Sequence, residues 1–201
     1  MSVPEEKLFI KEDVKEPTIL DWIMTQEVLS SQVILGLVII LIATAFMFFH
    51  LYTGFFGQPE AHLFRSVHLT FVFMLTFLFY PLGRKSWKDK LNGWFLIDLL
   101  GILLSIATQV YYLADPDEFM VRIADPSTGD MIMGTMVILL VMETARTVIG
   151  NTMVILSAFF VLHALYADKF FGFLYSPPSS YSSVISHVVM EETGIYTTPL
   201  A

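Results

Sequence analysis

The sequence predicts an all-α fold, namely a polytopic membrane helix bundle of four to five transmembrane helices with short amphipathic flanking helices. Of its 201 residues, 55% are hydrophobic and only 15% are charged, whereas an ordinary soluble domain has roughly 25% charged residues. The apolar residues come in long blocks and not in the period of 2 or 3.6 that is typical of half-buried strands and surface helices. Several blocks are about 20 residues long, which matches the hydrocarbon core of a bilayer.

Composition and motifs exclude several classes of function. The formal net charge is −8, which argues against a nucleic-acid partner because a phosphate-binding surface needs clustered Lys and Arg. The chain has no cysteine, so disulfides, thiolate metal sites and Cys nucleophiles are excluded. It contains no HExxH, no phosphate-binding glycine loop and no GxSxG. We therefore predict that the protein is not an enzyme and assign no catalytic, cofactor-binding or metal-ligating residue.

Three spans follow one another in the first half of the chain. The first run, 33–53, contains no charged residue. The second, about 61–82, has Arg65 one turn inside its start and Pro81 at its end. The third, about 94–114, has Asp98 one turn inside its start. Both charges lie near a helix end, where a charged side chain can reach the membrane interface.

The fourth span carries two charges. Its uncharged opening, 131–142, makes only about 18 Å of helix, too short to cross a core of about 30 Å. The helix must therefore continue through Glu143 and Arg146, which are spaced i, i+3 and can pair on one face. We predict that Arg146 has an acidic partner, Glu143 or Asp98.

A fifth apolar run, 152–167, follows directly after the fourth span. Gly150 and Asn151 separate the two runs, and this dipeptide favours a break in the helix. The sequence therefore predicts a tight helical hairpin. One long kinked helix is the alternative, and it would change the side of the membrane on which the C-terminus lies.

The loops predict the orientation. The 83–93 loop is basic, whereas 115–130 carries five acids and only Arg122. The positive-inside rule places the basic loop, and with it the N-terminus, in the cytoplasm. We interpret the acidic stretch as a solvated loop, with a surface for a binding protein as the alternative. The topology-setting basic residues are Arg84, Lys85, Lys88 and Lys90.

Both flanks contain candidate short helices. From Pro17 the N-terminal segment can form an interfacial helix, with an ordinary cytoplasmic tail as the alternative. After a Pro-rich linker, residues 182–193 place apolar side chains on one face, and Ser182 or Ser183 can cap that helix. We expect this amphipathic helix to lie on the membrane or against another subunit.

Histidines allow a second interpretation. His50, His68 and His163 all fall toward the outer side in this topology, so a bis-histidine haem in an electron-transfer membrane subunit is conceivable. The simpler interpretation, which we favour, is that these residues form hydrogen bonds to neighbours or headgroups. His62 and His68 lie six residues apart, about 240° around a helix, and do not share a face. An unrelated membrane assembly protein is the third interpretation.

Two stretches resemble a known family. The fourth span reads ILLVMETARTVIG over 138–150, and the tail reads ISHVVMEETGIYTTPL over 185–200. Together with span two and its basic loop, they resemble the N-terminal part of TRAP transporter permeases of the fused four-plus-twelve-span type, which TAXI-type binding proteins serve. In that family an apolar helix ends in a Glu-x-x-Arg-like stretch followed by Gly, and Glu143, Arg146 and Gly150 match it. The tail approximates the family's Glu-Gly-Ile-x-Gly-x-Pro-like segment, although Thr193 intervenes and Thr197 replaces the second Gly. The approximating residues are Glu192, Gly194, Ile195, Pro199 and Leu200.

The resemblance implies a role and a domain organisation. Such permeases sit in the bacterial or archaeal inner membrane and import organic acids with a sodium gradient and a periplasmic binding protein. Their small part is a scaffold for a large twelve-span part, which holds the substrate and sodium sites. The resemblance thus implies a cytoplasmic segment (1–31), a four-span scaffold (32–150), a connecting helix (151–175), and a linker, amphipathic helix and start of the large part (176–201). The chain would be a separate small subunit or a truncated fused permease, with no cofactor of its own.

Overall fold

A computed structural model describes residues 31–82, 87, 93–191 and 194–196 of the chain. In these residues the backbone is helical and contains no strand, so the all-α prediction is confirmed. The helix ends carry short 3₁₀ turns at Ala167–Lys169 and Gly172–Leu174 and a π-helical turn at Ser186–Met190. The α-helices are α1 (Ser31–Phe56), α2 (Ala61–Phe79), α3 (Phe95–Leu113), α4 (Pro116–Arg122), α5 (Thr128–Val148), α6 (Asn151–Tyr166) and α7 (Tyr181–Ile185).

Five of the described helices are long and apolar enough to cross a bilayer. They correspond to α1, α2, α3, α5, and α6 together with the 3₁₀ turn that extends it to Lys169. The chain is thus a multi-pass membrane protein. The spans are Gln32–Phe56, Ala61–Phe79, Phe95–Leu113, Thr128–Val148 and Asn151–Lys169.

The fourth and fifth spans form a helical hairpin. Gly150 has φ +108°, a left-handed conformation that residues with a Cβ adopt only with strain. Beyond α6, the Ser179 N–H donates to the Ala164 carbonyl at 2.8 Å, and the Tyr181 hydroxyl bonds to Thr135 near the start of α5. The chain has therefore returned to the far end of α5. The hairpin prediction is confirmed, and the alternative of one long kinked helix is wrong.

The core lies between α2 and α3 and extends to α1 and α5. Phe73 and Val137 are almost completely buried there. At Gly101 the two central helices approach so closely that a Cβ would lie 2.8 Å from the Phe77 ring. In contrast, α6 has no fully buried side chain among those described, so its apolar surface faces outward around most of its circumference.

The bundle has two chemically different ends. The acidic end comprises residues 114–127 and the adjoining ends of α3 and α5. The basic end comprises the end of α2, the start of α3 and the Gly150 turn, and it is named for the basic residues that the sequence carries between α2 and α3. The predicted basic residues Arg84, Lys85, Lys88 and Lys90 lie outside the described residues, as does the predicted interfacial helix within 1–30.

Candidate functional site

Asp130 is the centre of a polar cluster where α3, α4 and α5 meet. Its side chain is fully buried. Arg122 donates to it from Nε at 2.9 Å and from Nη2 at 3.3 Å, and the Tyr111 hydroxyl donates at 3.1 Å. Ser127 adds its backbone N–H at 2.9 Å and its hydroxyl at 2.7 Å. These donors compensate the cost of burying a carboxylate away from water.

Arg122 connects this cluster to the surface. Its Nη1 lies 3.0 Å from an oxygen of Glu118, one turn earlier on α4, and its side chain is 21% exposed. The hydrogen bond to Asp130 raises the pKa of the Arg122 guanidinium. Since an arginine is already charged at neutral pH, the guanidinium keeps its charge across the physiological range. The ion pair between Arg122 and Asp130 holds α4 against the start of α5.

The acidic segment contains a short helix where we expected a loop, and four of its five acids are exposed to solvent as expected. Asp115 caps α4 by accepting the Glu118 N–H at 3.0 Å. Ser127 and Asp130 form a reciprocal capping box at the start of α5, which satisfies backbone donors that the first turn leaves free. The motif Ser-x-x-Asp before an apolar run was the local signal for this cap. The contact with Arg122 had no such signal, because it depends on the fold of α4.

The C-terminal segment, of which the structure describes residues 181–191 and 194–196, docks on this end of the bundle. Ser180 caps α7 by accepting the Ser183 N–H at 3.1 Å, so the predicted caps Ser182 and Ser183 were wrong by two to three positions. Ile185 fills the space above Gly134, where a Cβ would lie 2.5 Å from its Cγ2 atom. The Ser186 hydroxyl donates to the Ile123 carbonyl at 2.5 Å.

Tyr196 anchors the far end of this segment. It is 1% exposed, and its hydroxyl donates to Gln109 Oε1 at 3.0 Å. Its ring lies 5.1 Å from that of His62 and 6.0 Å from that of Tyr112, centroid to centroid. Burial raises the pKa of the Tyr196 hydroxyl, so this donor keeps its proton at physiological pH.

The apolar face of the amphipathic helix thus packs against its own chain, whereas we expected it to lie on the membrane or against another subunit. The physical reason is that the shape of the apolar face matches the bundle surface that it covers. Its apolar residues Val184, Ile185 and Val189 are buried, and the missing side chain of Gly134 provides the groove for Ile185. Helical periodicity revealed the apolar face, but it could not reveal the surface that covers it.

The predicted intramembrane charges lie in three places: Arg65 near the start of α2, Asp98 at the start of α3, and Glu143 with Arg146 near the end of α5. Asp98 is fully buried and accepts the Leu82 backbone N–H at 2.7 Å, directly after the end of α2. Arg146 donates to Glu143 from Nε at 2.8 Å and Nη2 at 2.5 Å, so its partner is one of the two predicted. Arg65 is half-buried in the second turn of α2. The structure therefore does not bring these four residues together into one site.

The histidines make local contacts. His50 Nε2 and His68 Nδ1 lie 3.0 Å apart, at hydrogen-bond distance. At about 2 Å from a metal each, two nitrogens on opposite sides of a haem iron would be about 4 Å apart, so this pair does not have the geometry of axial haem ligands. His62 stacks on Phe119 at 4.9 Å, and His163 Nε2 lies 2.8 Å from the Leu174 carbonyl oxygen.

The described surface offers no metal site of ordinary composition. Among the residues that the structure describes, no group of three or more His, Asp or Glu side chains is arranged to hold a metal ion. A groove between α3 and α5 is lined mainly by apolar side chains, with Glu143 at its edge. These include Ile97, Leu100, Leu104, Met136 and Leu139.

No family model, curated protein or solved structure matches the chain. The geometry described above joins helices to one another: Asp130 and Arg122 hold the acidic end, Tyr196 holds the C-terminal segment, and Asp98 on α3 accepts the Leu82 N–H just beyond α2. Chemically, the arrangement serves as a polar framework that fixes the ends of an apolar bundle.

Proposed function

We propose that this chain is the membrane scaffold portion of a TRAP-type secondary transporter permease. In this role it supports sodium-coupled, binding-protein-dependent uptake of organic acids. The substrate and sodium sites belong to a large, twelve-span permease subunit or domain, and a periplasmic TAXI-type protein delivers the solute. The proposal starts from the sequence resemblance over the fourth span and the tail, on which Glu143, Arg146 and Gly150 match the family pattern.

The observation that carries the scaffold role is the use of the buried charges. Asp130 is saturated by donors from Arg122, Tyr111 and Ser127, and Asp98 holds the backbone that follows α2. Transport sites need polar groups that exchange partners with a solute or ion. In this chain the two buried carboxylates instead join helix ends to one another, as a rigid support requires.

The outward apolar surfaces also fit a scaffold. Leu41 on α1 is 70% exposed, and Ile155 on α6 is 68% exposed. In a bilayer these faces contact lipid or a partner helix, because hydrocarbon and not water surrounds the spans. We assign the partner surface to the α1 side of the bundle and leave the α6 side to lipid.

Purification from native membranes and reconstitution test this function. A tagged chain, extracted in mild detergent, is expected to bring down a polytopic protein of about twelve spans. In proteoliposomes with a sodium gradient and the binding protein, the pair is expected to take up an organic acid, and the chain alone is not. Uptake by the chain alone would overturn the proposal. A Soret absorbance band in the purified chain would favour the haem-bearing alternative.

We further propose that the basic end faces the cytoplasm of a bacterial or archaeal cell and that the acidic end faces outward. The positive-inside rule supports this orientation. Five spans then place the N-terminus inside and the docked C-terminal segment outside.

Because the chain contains no cysteine, single introduced cysteines report the orientation. A membrane-impermeant maleimide is expected to label Asp125→Cys in intact cells, since Asp125 is exposed at the acidic end. Ser86→Cys, in the basic loop, is expected to react only after permeabilisation. Labelling of Ser86→Cys from outside would reverse the proposed orientation.

A further inference from the structure

The loop that follows the fifth span displays aromatic side chains. We name residues 170–175, FFGFLY, the aromatic loop. Phe171 is 90% exposed and Phe173 is 96% exposed, and Tyr175 beside them is 61% exposed. Between the two phenylalanines Gly172 has φ +66°, a conformation that allows the chain to turn without strain.

The bonds around the aromatic loop hold it in place. His163 Nε2 lies 2.8 Å from the Leu174 carbonyl oxygen, and the Tyr175 N–H donates to Gly172 at 3.2 Å. Phe170 packs inward, with its ring centroid 4.9 Å from that of His163. Since both sides of the loop are tied to α6, the exposure of Phe171 and Phe173 is a fixed feature of the fold.

The hairpin register places the loop at the membrane boundary. Residues 128 and 172 are equally distant along the chain from the turn at Gly150, so the aromatic loop lies level with the start of α5. The span itself ends at Lys169, directly before the loop. Tyr is enriched where a helix leaves the hydrocarbon, and Phe is among the side chains that interfacial segments bury at the boundary of headgroups and acyl chains.

We propose that the aromatic loop is a membrane-interface anchor, in which Phe171 and Phe173 insert between the headgroups and upper acyl chains of the leaflet at the acidic end. The occupant is lipid because the loop continues the outward apolar surface of α6, which has no fully buried side chain. The neighbouring charges Asp168 and Lys169 pair with each other at 2.8 Å. The insertion is therefore apolar and does not require anionic lipid. This proposal does not depend on the transport role.

Tryptophan fluorescence in the full-length chain tests the anchor. Trp22, Trp87 and Trp94 are first replaced by Phe, and Phe173→Trp is reconstituted into phosphatidylcholine vesicles. We expect lipid brominated near the headgroup to quench this tryptophan at least about twofold more than lipid brominated near the chain ends. The opposite order is expected for Phe160→Trp, which is 60% exposed within α6 and reports correct insertion of the span.

Asp125→Trp is the matched control at the same end of the bundle, since acrylamide in water should quench it and brominated lipid should not. If Phe173→Trp behaves like Asp125→Trp while Phe160→Trp is quenched by lipid, the loop is in water and the proposal fails. Protection from both acrylamide and brominated lipid would mean that a protein surface covers the loop, which also overturns it. Quenching by brominated lipid that appears only after the anionic lipid phosphatidylglycerol is added would refute insertion driven by apolar contacts alone.

Discussion

Replacing Asp130 with alanine is expected to destabilise the bundle by about 3 kcal/mol, since removing one member of a buried ion pair typically costs about 3–5 kcal/mol. We take the lower end because Arg122 is 21% exposed and can recover some hydration. The loss has two parts: the Arg122 guanidinium loses its main acceptor, and Ser127 loses the reciprocal cap at the start of α5. Thermal unfolding of the detergent-purified protein measures the effect.

Two companion variants separate charge from position. Asp117→Ala removes an exposed acid from the same segment and is expected to change stability by no more than about 0.5 kcal/mol. Asp130→Asn keeps the size of the side chain but removes the charge, and its stability is expected between that of the parent and Asp130→Ala. Equal unfolding temperatures for Asp130→Ala and Asp117→Ala would show that the cluster does not hold the acidic end together.

Replacing Gly134 with alanine is expected to loosen the C-terminal segment. The new Cβ would lie 2.5 Å from Cγ2 of Ile185 and 3.4 Å from the Tyr112 hydroxyl. Overpacking of this kind costs about 1–3 kcal/mol, equivalent to about 5- to 150-fold in the undocked population. Cysteine placed at Val189, which is 0% exposed, reports the change because it reacts with a maleimide only when the segment opens.

Two further variants make this test specific. Gly54→Ala is the matched control, since its Cβ would meet nothing within 4 Å and the labelling rate at position 189 should not change. Ile185→Ala in the Gly134→Ala background removes the clashing methyl group, so it should restore part of the protection of the cysteine at position 189 from maleimide. If Gly134→Ala labels as slowly as the parent, Ile185 does not seat the segment in the way that we describe.

Local patterns in the sequence were sufficient for the spans. Runs of apolar residues identified the five long helices, and Gly150 with Asn151 predicted the hairpin between α5 and α6. The i, i+3 spacing of Glu143 and Arg146 predicted an ion pair that the structure contains. Each of these features depends on residues close together in the chain, so periodicity and helix-breaking propensity were enough.

The acidic end was harder to predict. Its charges suggested a solvated loop, yet Asp130 is fully buried. The hydrogen bonds of that carboxylate require α4 to fold back so that Arg122 reaches α5, and require α3 to present Tyr111. Because charged residues are usually exposed, composition favours the opposite conclusion. Packing between helices decides whether a charged side chain points into the bundle or into solvent.

The sequence by itself determined that the chain crosses a membrane in helices, where those helices break and which segments are amphipathic. Only the tertiary structure decided that the C-terminal segment covers its own bundle and that Asp130 is buried. The physical reason is the distance along the chain between the residues that interact. Hydropathy and turn propensity are sums over neighbouring residues, whereas the fit of Ile185 to Gly134 and of Tyr196 to Gln109 depends on surfaces that meet only after the helices have packed.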